Sequence, residues 1–281
     1  MSGEHPPRVA VVGHVEWLDC AVVDHVPVAG EIVTASEHFE TAAGGGAVAA
    51  VQLRKLAGAA RFYTALGDDA LAARAAAELR DEHGVELHAA RRPRPQRRAF
   101  THLDAHAERT ITVLGARLVP HGEDPLPWDE LAAADGVYLT GGDAAAARAA
   151  RAARVLVATA RARDALEDSG VVPDVLVASA TDAKERAGAA GLTAPRWLVL
   201  THGAQGGRWH GSDGSAGGWP AAPLPADPVD AYGCGDSFAA GLTYGLAAGM
   251  DLTAALALAA RCGAHCLTGR GPYAGQLVLA G

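Results

Sequence analysis

Lysine is nearly missing from this chain. Of 24 Lys and Arg residues, only Lys55 and Lys184 are lysines. Schiff-base chemistry and a phosphate-loop lysine therefore have few candidates. No Gly-Lys-Ser/Thr occurs, which excludes a Walker A site. Positive charge is also in deficit: 24 basic against 32 acidic residues leave a net charge of −8 and a pI near 5.8. That balance argues against a general nucleic-acid binder, because phosphate backbones attract basic surfaces. No apolar run approaches membrane-spanning length. The opening Met-Ser-Gly-Glu-His-Pro-Pro-Arg holds no apolar signal region. The four cysteines, Cys20, Cys234, Cys262 and Cys266, form no C-x-x-C pair. The expectation is a soluble, cytoplasmic protein with reduced thiols and no nucleic-acid or membrane partner.

Apolar residues are plentiful, at 49% of 281. That length allows one large α/β domain or two smaller ones. The most informative stretch is Asp230-Ala231-Tyr232-Gly233-Cys234-Gly235-Asp236-Ser237-Phe238, followed by a small, apolar run from Ala239 to Met250. Two glycines leave the backbone bare just before a helix. Orphan N–H groups and the positive end of the helix dipole converge there, so an anion such as phosphate would be held. Electrostatics alone would not place a carboxylate beside a phosphate. Asp236 in that place points to a base for a hydroxyl that attacks phosphorus. The plainer reading is that Asp236 only caps the helix.

The rest of the chain has a βα rhythm. Residues 8–13 read as a buried strand ending at Gly13, and Gly44-Gly45-Gly46 opens a helix to Leu56, closed by Gly58. A strand at 60–65 leads through Gly67-Asp68-Asp69 into an Ala-rich helix over 70–83. Short β-rich runs begin at Val137, Val155, Val175 and Trp197, mostly separated by helical or loop segments. Strands alternating with helices predict a parallel sheet covered on both faces. Two pieces, about 15–43 and 99–113, sit outside the rhythm and read as strands and turns. Polar β pieces inserted in an α/β core commonly form a flap over a site. Thr201-His202-Gly203-Ala204-Gln205-Gly206-Gly207 follows a strand, where glycines let a ligand approach the backbone. A plain hairpin turn is the other reading of that loop. Asp19, just past the first strand, is a ligand candidate or a simple turn residue.

The order of these features resembles the ribokinase-like (PfkB) family of small-molecule kinases, over nearly the whole chain. The resemblance implies one three-layer α/β/α domain over 1–281, with a mostly parallel central sheet and a small β lid from the two inserted pieces. It implies ATP-dependent phosphorylation of a hydroxyl on a sugar or nucleoside. Asp236 would be the catalytic base, with the N–H groups of Gly233, Cys234, Gly235 and Asp236 as the anion hole. Thr201, Gly203, Gly206, Cys262 and Gly263 would lie along the ATP. Asp19, Gly44, Gly45 and the position of Ala49 would hold the acceptor. Asp230 would sit near a monovalent-cation site, for K+, and Mg2+ would travel with the nucleotide. Lids in this family often pair, so a homodimer through the lid is expected.

The departures from the pattern are specific. Ala49 stands where the family has an Asn that bonds sugar hydroxyls. The family's Asn-x-x-Glu, which organises Mg2+ through water, matches Ser179-Ala180-Thr181-Asp182, a weaker pair with Asp182 as its acid. Cys234 replaces the usual Ala. These changes support an alternative: a family member that binds nucleotide or ligand with little turnover. A nicotinamide dehydrogenase is disfavoured, since His14-Val15-Glu16 rather than G-x-G-x-x-G follows the first strand. Cys262, His265 and Cys266 share a helix face as zinc ligands would, but read better as core residues. His102 and His106 lie in a strand-turn, where no shared face is implied. The Arg91–Arg98 run is a solvated loop, unless it folds toward the flap to meet an acidic acceptor.

Overall fold

The computed structural model describes residues 5–279. Nine strands form the central sheet in the order β13-β12-β11-β10-β9-β8-β1-β4-β5. They are β1 (Val9–Val12), β4 (Arg61–Leu66), β5 (Glu86–Arg91), β8 (Gly136–Leu139), β9 (Val155–Thr159), β10 (Val175–Ser179), β11 (Trp197–Thr201), β12 (Gly207–Gly211) and β13 (Ala216–Trp219). Strands β5 to β11 in this order pair in parallel, and β12 and β13 close one edge as antiparallel strands. β1 is buried along its whole length, as a central strand with both faces covered must be.

Strand alternation divides the core into two layers. Val9, Val11, Val157, Val175 and Val177 pack with residues of α1 (Gly45–Ala57), α2 (Ala70–Ala77), α6 (Cys234–Ala247) and α7 (Leu252–Leu267). Ala10, Val12, Leu156, Ala158 and Leu176 pack with α3 (Ala144–Arg151) and α4 (Arg163–Ser169), and Ala189 of α5 (Ala183–Ala190) joins them. The result is the expected three-layer α/β/α arrangement.

The expected insertions form a second sheet in the order β3-β2-β6-β7. It comprises β2 (Glu16–Val22), β3 (Glu37–Ala43), β6 (Arg98–Leu103) and β7 (Arg109–Leu114). β2 and β6 pair in parallel, while β2–β3 and β6–β7 are antiparallel.

Two local readings change. The helix expected over 70–83 is α-helical only to Ala77 and widens to a π-turn over Glu78–Glu82. There Glu78 reaches across to accept from Ala42 N at 3.0 and 3.1 Å. The basic run is not one solvated loop: Arg91 ends β5, Arg98 begins β6, and Arg92 pairs with Asp124 at 2.7 Å.

Asp69 of the Gly-Asp-Asp motif has two structural bonds. Oδ1 caps α2 by accepting from Ala72 N at 2.9 Å, and Oδ2 accepts from Gln96 N at 2.9 Å. Asp69→Ala removes a cap and leaves a loop N–H unpaired. We expect it to cost about 2 kcal/mol in urea unfolding, with an unchanged m-value.

Candidate active site

Gly233 ends the approach to α6 in the left-handed region, with φ 82°. A Cβ there would also meet Val48 at 2.8 Å, so only glycine fits. The turn aims the first backbone N–H groups of α6 outward. Among the described residues, the N–H groups of Gly235 and Asp236 have no backbone acceptor, whereas that of Cys234 turns back toward Ala231 O at 3.5 Å. One of the four expected anion-hole donors is thus partly taken. Asp236 lies inside the first turn, and the N-cap is Gly233, with no side-chain capping bond. The capping reading of Asp236 therefore fails. Its carboxyl is half-buried. Burial pushes its pKa up to about 6, against the pull of Arg161 and Arg109.

Gly45 faces this carboxylate. A Cβ on Gly45 would stand 2.7 Å from Asp236 Oδ1 and 3.0 Å from Thr140 Oγ1. The first glycine motif, the end of β8 and the start of α6 therefore meet at one point, as expected. Beside them is a buried polar chain. His14 Nε2 lies 3.3 Å from Glu16 Oε1, and Arg97 Nε lies 2.7 Å from the same oxygen. Arg117 Nη2 donates to His14 Nδ1 at 2.9 Å and to Thr140 O at 2.6 Å. Burial, and then the charge of Arg117, push His14 down to about 4. The neutral ring accepts at Nδ1 and donates from Nε2 toward Glu16. Burial opposes the charge of Glu16, but the bond from His14 and the charge of Arg97 hold its carboxyl below the ordinary range.

Asp19 is a correction. Side chains alternate along β2, so Asp19 leaves the face opposite Glu16. There it bonds His38 at 2.8 Å and Arg98 at 2.9 Å. The acid on the Gly44–Gly45 side is Glu16. Ala49 is a second correction: it is fully buried in the core and offers no surface to an acceptor. Arg109 donates to Ala231 O and lies 5.6 Å over the Tyr232 ring, tying the second sheet to the anion loop.

On the other side, β11 turns through Gly203–Gln205 into β12 as an antiparallel hairpin. Gly203 faces open space, while Gly206 is pressed against the backbone of Trp219 to Ala221. Trp219 stacks on Phe238 at 5.5 Å, which fixes the hairpin relative to α6. Gly263 lies against the Cys234 carbonyl, at 3.3 Å from a Cβ position. Cys262 is a third correction. It is wholly buried, with Sγ 2.7 Å from the Cβ position of Gly241, so it packs α7 on α6 rather than facing a ligand. Cys234, half-buried, has its thiol pushed up by a hydrogen bond to Cys266 and by burial. All four cysteines are free. Among the described residues, the one group spaced to share a metal is Glu86, His88 and Glu130, not the Cys262 face. Arg61 already pairs with both of those glutamates.

Asp230 is buried, with Oδ1 accepting from Tyr232 N at 2.8 Å and Oδ2 from Gly271 N at 3.0 Å. Burial raises its pKa against those bonds. A buried carboxylate with no ion pair among the described residues fits a monovalent cation. Asp182 caps α5 and pairs with Arg161, and Glu185 also pairs with Arg161 while accepting from Ser179 N at 2.7 Å. Glu185 adds to the upward shift of Asp236. It acts on Asp236 through its charge and is absent from the sequence expectation. Both acids suit water-mediated contact with nucleotide-borne Mg2+.

A doubly covered parallel sheet, with an anion loop at a helix start and a facing acid, defines a ribokinase-like α/β protein. The chain belongs to the pfkB family of carbohydrate kinases, whose model matches residues 6–277. Among solved structures, it is similar to ribokinase from Thermotoga maritima (17% identity, TM-score 0.76, 97% of this chain and 96% of that one). It is similar also to Arabidopsis thaliana ribokinase complexed with ribose and ATP (20%, 0.73, 96% of each). Adenosine kinase from Sinorhizobium meliloti is a third (17%, 0.74, 95% of each). No curated protein matches the chain in sequence. Among the described residues, no helix is long and apolar enough to cross a membrane.

Proposed function

We propose that the chain transfers the γ-phosphoryl group of ATP to a hydroxyl, most simply a primary alcohol, of a sugar or nucleoside. One observation carries this reading: a carboxylate raised to about 6 stands in the first turn of α6, directly opposite Gly45. A base with a pKa just below neutrality is ionised in use and still basic enough to take a proton. In this reading Asp236 takes the hydroxyl proton and the oxygen attacks phosphorus in line. Outward N–H groups of α6 offset charge on the phosphoryl oxygens. Mg2+ held by the nucleotide supplies further neutralisation. Thr201, Gly203 and Gly263 border the nucleotide, and Gly44, Gly45 and Glu16 border the acceptor. Asp230 holds K+. The second sheet acts as a lid that excludes water. It also supplies a homodimer contact, favoured by the exposure of Ile111, Val113 and Leu114 on edge strand β7.

The test is ADP release with ATP, Mg2+, K+ and a panel of hydroxylated acceptors. Acceptor-dependent release should fall tenfold per pH unit below about 6 and level off above it, because only ionised Asp236 serves as base. A profile flat down to pH 4 removes Asp236 from the role. Binding of ATP with no release across a broad panel favours the weak-turnover alternative, to which Ala49 and the Arg161-held pair Asp182 and Glu185 lend support.

A further inference from the structure

A neutral acceptor would leave one guanidinium at this site without a direct ion pair among the described residues. Arg117 follows β7 and reaches between His14 and Thr140. Its side-chain acceptors are His14 Nδ1 and Thr140 Oγ1, and its backbone acceptors are the carbonyls of Thr140 and Arg161. None of these carries a negative charge while His14 is neutral. Among the described residues no carboxylate forms an ion pair with Arg117, and its Nε is buried without a partner. Glu16, the nearest carboxylate in the polar chain, is already held by Arg97. Burial and the charges of Arg97 and Arg161 disfavour the Arg117 cation, and the charges of Glu16 and Asp236 offset this only in part. A buried guanidinium in that state is costly unless an anion joins it. The group bonds His14 and Thr140 beside Gly45, reaches the Arg161 carbonyl with Nη1, and does not bond the hairpin at 201–206, so on the kinase reading its Nη2 lies toward the acceptor.

We propose that the phosphoryl acceptor is an anionic alcohol: its carboxylate or phosphate pairs with Arg117 while its hydroxyl meets Asp236. This rests on the kinase reading above. A planar guanidinium suits either anion, since both accept two parallel N–H bonds. In the reaction the acceptor oxygen bonds to Pγ as the bond from Pγ to the β,γ-bridging oxygen breaks. The electron pair leaves with ADP, and the hydroxyl proton goes to Asp236. Arg97 completes the positive wall but keeps Glu16 as its own partner. Arg117 thereby sets which alcohols enter, and it does not take part in the proton transfer.

Calorimetric titration of the full chain, with a non-hydrolysable ATP analogue bound, tests this without requiring turnover. The probes are D-gluconate against D-glucitol, and D-glycerate and glycerol 3-phosphate against glycerol. Each anion should bind at least tenfold more tightly than its neutral counterpart for at least one of the two chemistries, and the two arms tell carboxylate from phosphate. Arg117→Gln should erase that preference, so that anions and neutral polyols bind alike, and Arg117→Lys should keep part of it. Neutral polyols binding as well as the anions, no binding of any anion, or a preference that survives Arg117→Gln overturns the proposal. Should Arg117→Gln not fold, the wild-type panel and Arg117→Lys still decide. ADP release measured alongside separates the two readings. A chain that phosphorylates only neutral sugars keeps the kinase reading and loses this one. A chain that binds the anions through Arg117 but releases no ADP loses the kinase reading, and with it the acceptor role, and keeps only an anion site at Arg117.

Discussion

Asp236→Asn should cut turnover sharply and make the protein harder to melt. Loss of a general base costs about 10²–10⁴-fold in rate. The stability gain follows from the sign of the shift. The folded pKa is about 6, against 3.8 for the free group. Below 3.8 the carboxyl is neutral in both states and contributes nothing. As pH rises through 6, the folded chain must ionise a group that burial disfavours, while the unfolded chain ionises it freely. That penalty is complete above pH 6 and amounts to about 2–3 kcal/mol. Asn removes it but also loses the favourable contact of an anion with the α6 dipole, about 0.5 kcal/mol. The net is about 2 kcal/mol, or a few degrees in Tm at pH 7.5, shrinking to nothing near pH 4. Calorimetry at both pH values, with ADP release on the same sample, checks both halves. Equal melting at pH 7.5 would show that Asp236 is not desolvated as described.

Gly45→Ala should leave a folded protein with turnover reduced about 100-fold. Alanine is a better helix former than glycine, and Gly45 opens α1. The added methyl, however, would occupy a point 2.7 Å from Asp236 Oδ1 and 3.0 Å from Thr140 Oγ1. The carboxylate must move, and a displacement of about 1 Å in a reacting group costs about 10²-fold. Nucleotide affinity, which the proposed function assigns to the hairpin and α7, should be little changed. Unaltered kcat in a stable Gly45→Ala variant would mean that the acceptor hydroxyl does not pass between these two residues.

Much of this arrangement was legible in the residues, because its strongest signals are local. The glycines flanking Cys234, Gly44 to Gly46 and the β-rich runs each announce a backbone event in a few positions. What escaped was orientation and long-range company. Asp19 and Glu16 differ only in which face of β2 they leave, and the pattern His14-x-Glu16-x-Leu18 could have assigned Glu16 to the inner face. Arg117 carries no local motif: its partners, His14, Thr140 and Arg161, are brought together only by the sheet order. Cys262 is the core residue its small, apolar helix face announces, and the close crossing of α6 and α7 at Gly241 keeps it from the ATP-side place that the resemblance implies. The chain contains no asparagine at all. Both positions where the family pattern has Asn, Ala49 and Ser179, are thus filled by residues that say little about the acceptor.

The small sheet is knitted from two stretches of chain, and it joins the α/β core through four links: residues 13–15, 44, 92–97 and 115–127. Such a leaf has no single swivel. Its strands are cross-linked by the parallel β2–β6 ladder, so Glu16 at one corner and Arg109 at the other travel as one piece. Arg109 grips the anion loop and Glu16 borders Gly44. A tilt of the leaf is therefore felt at the start of α6 and at Gly44 in the same stroke.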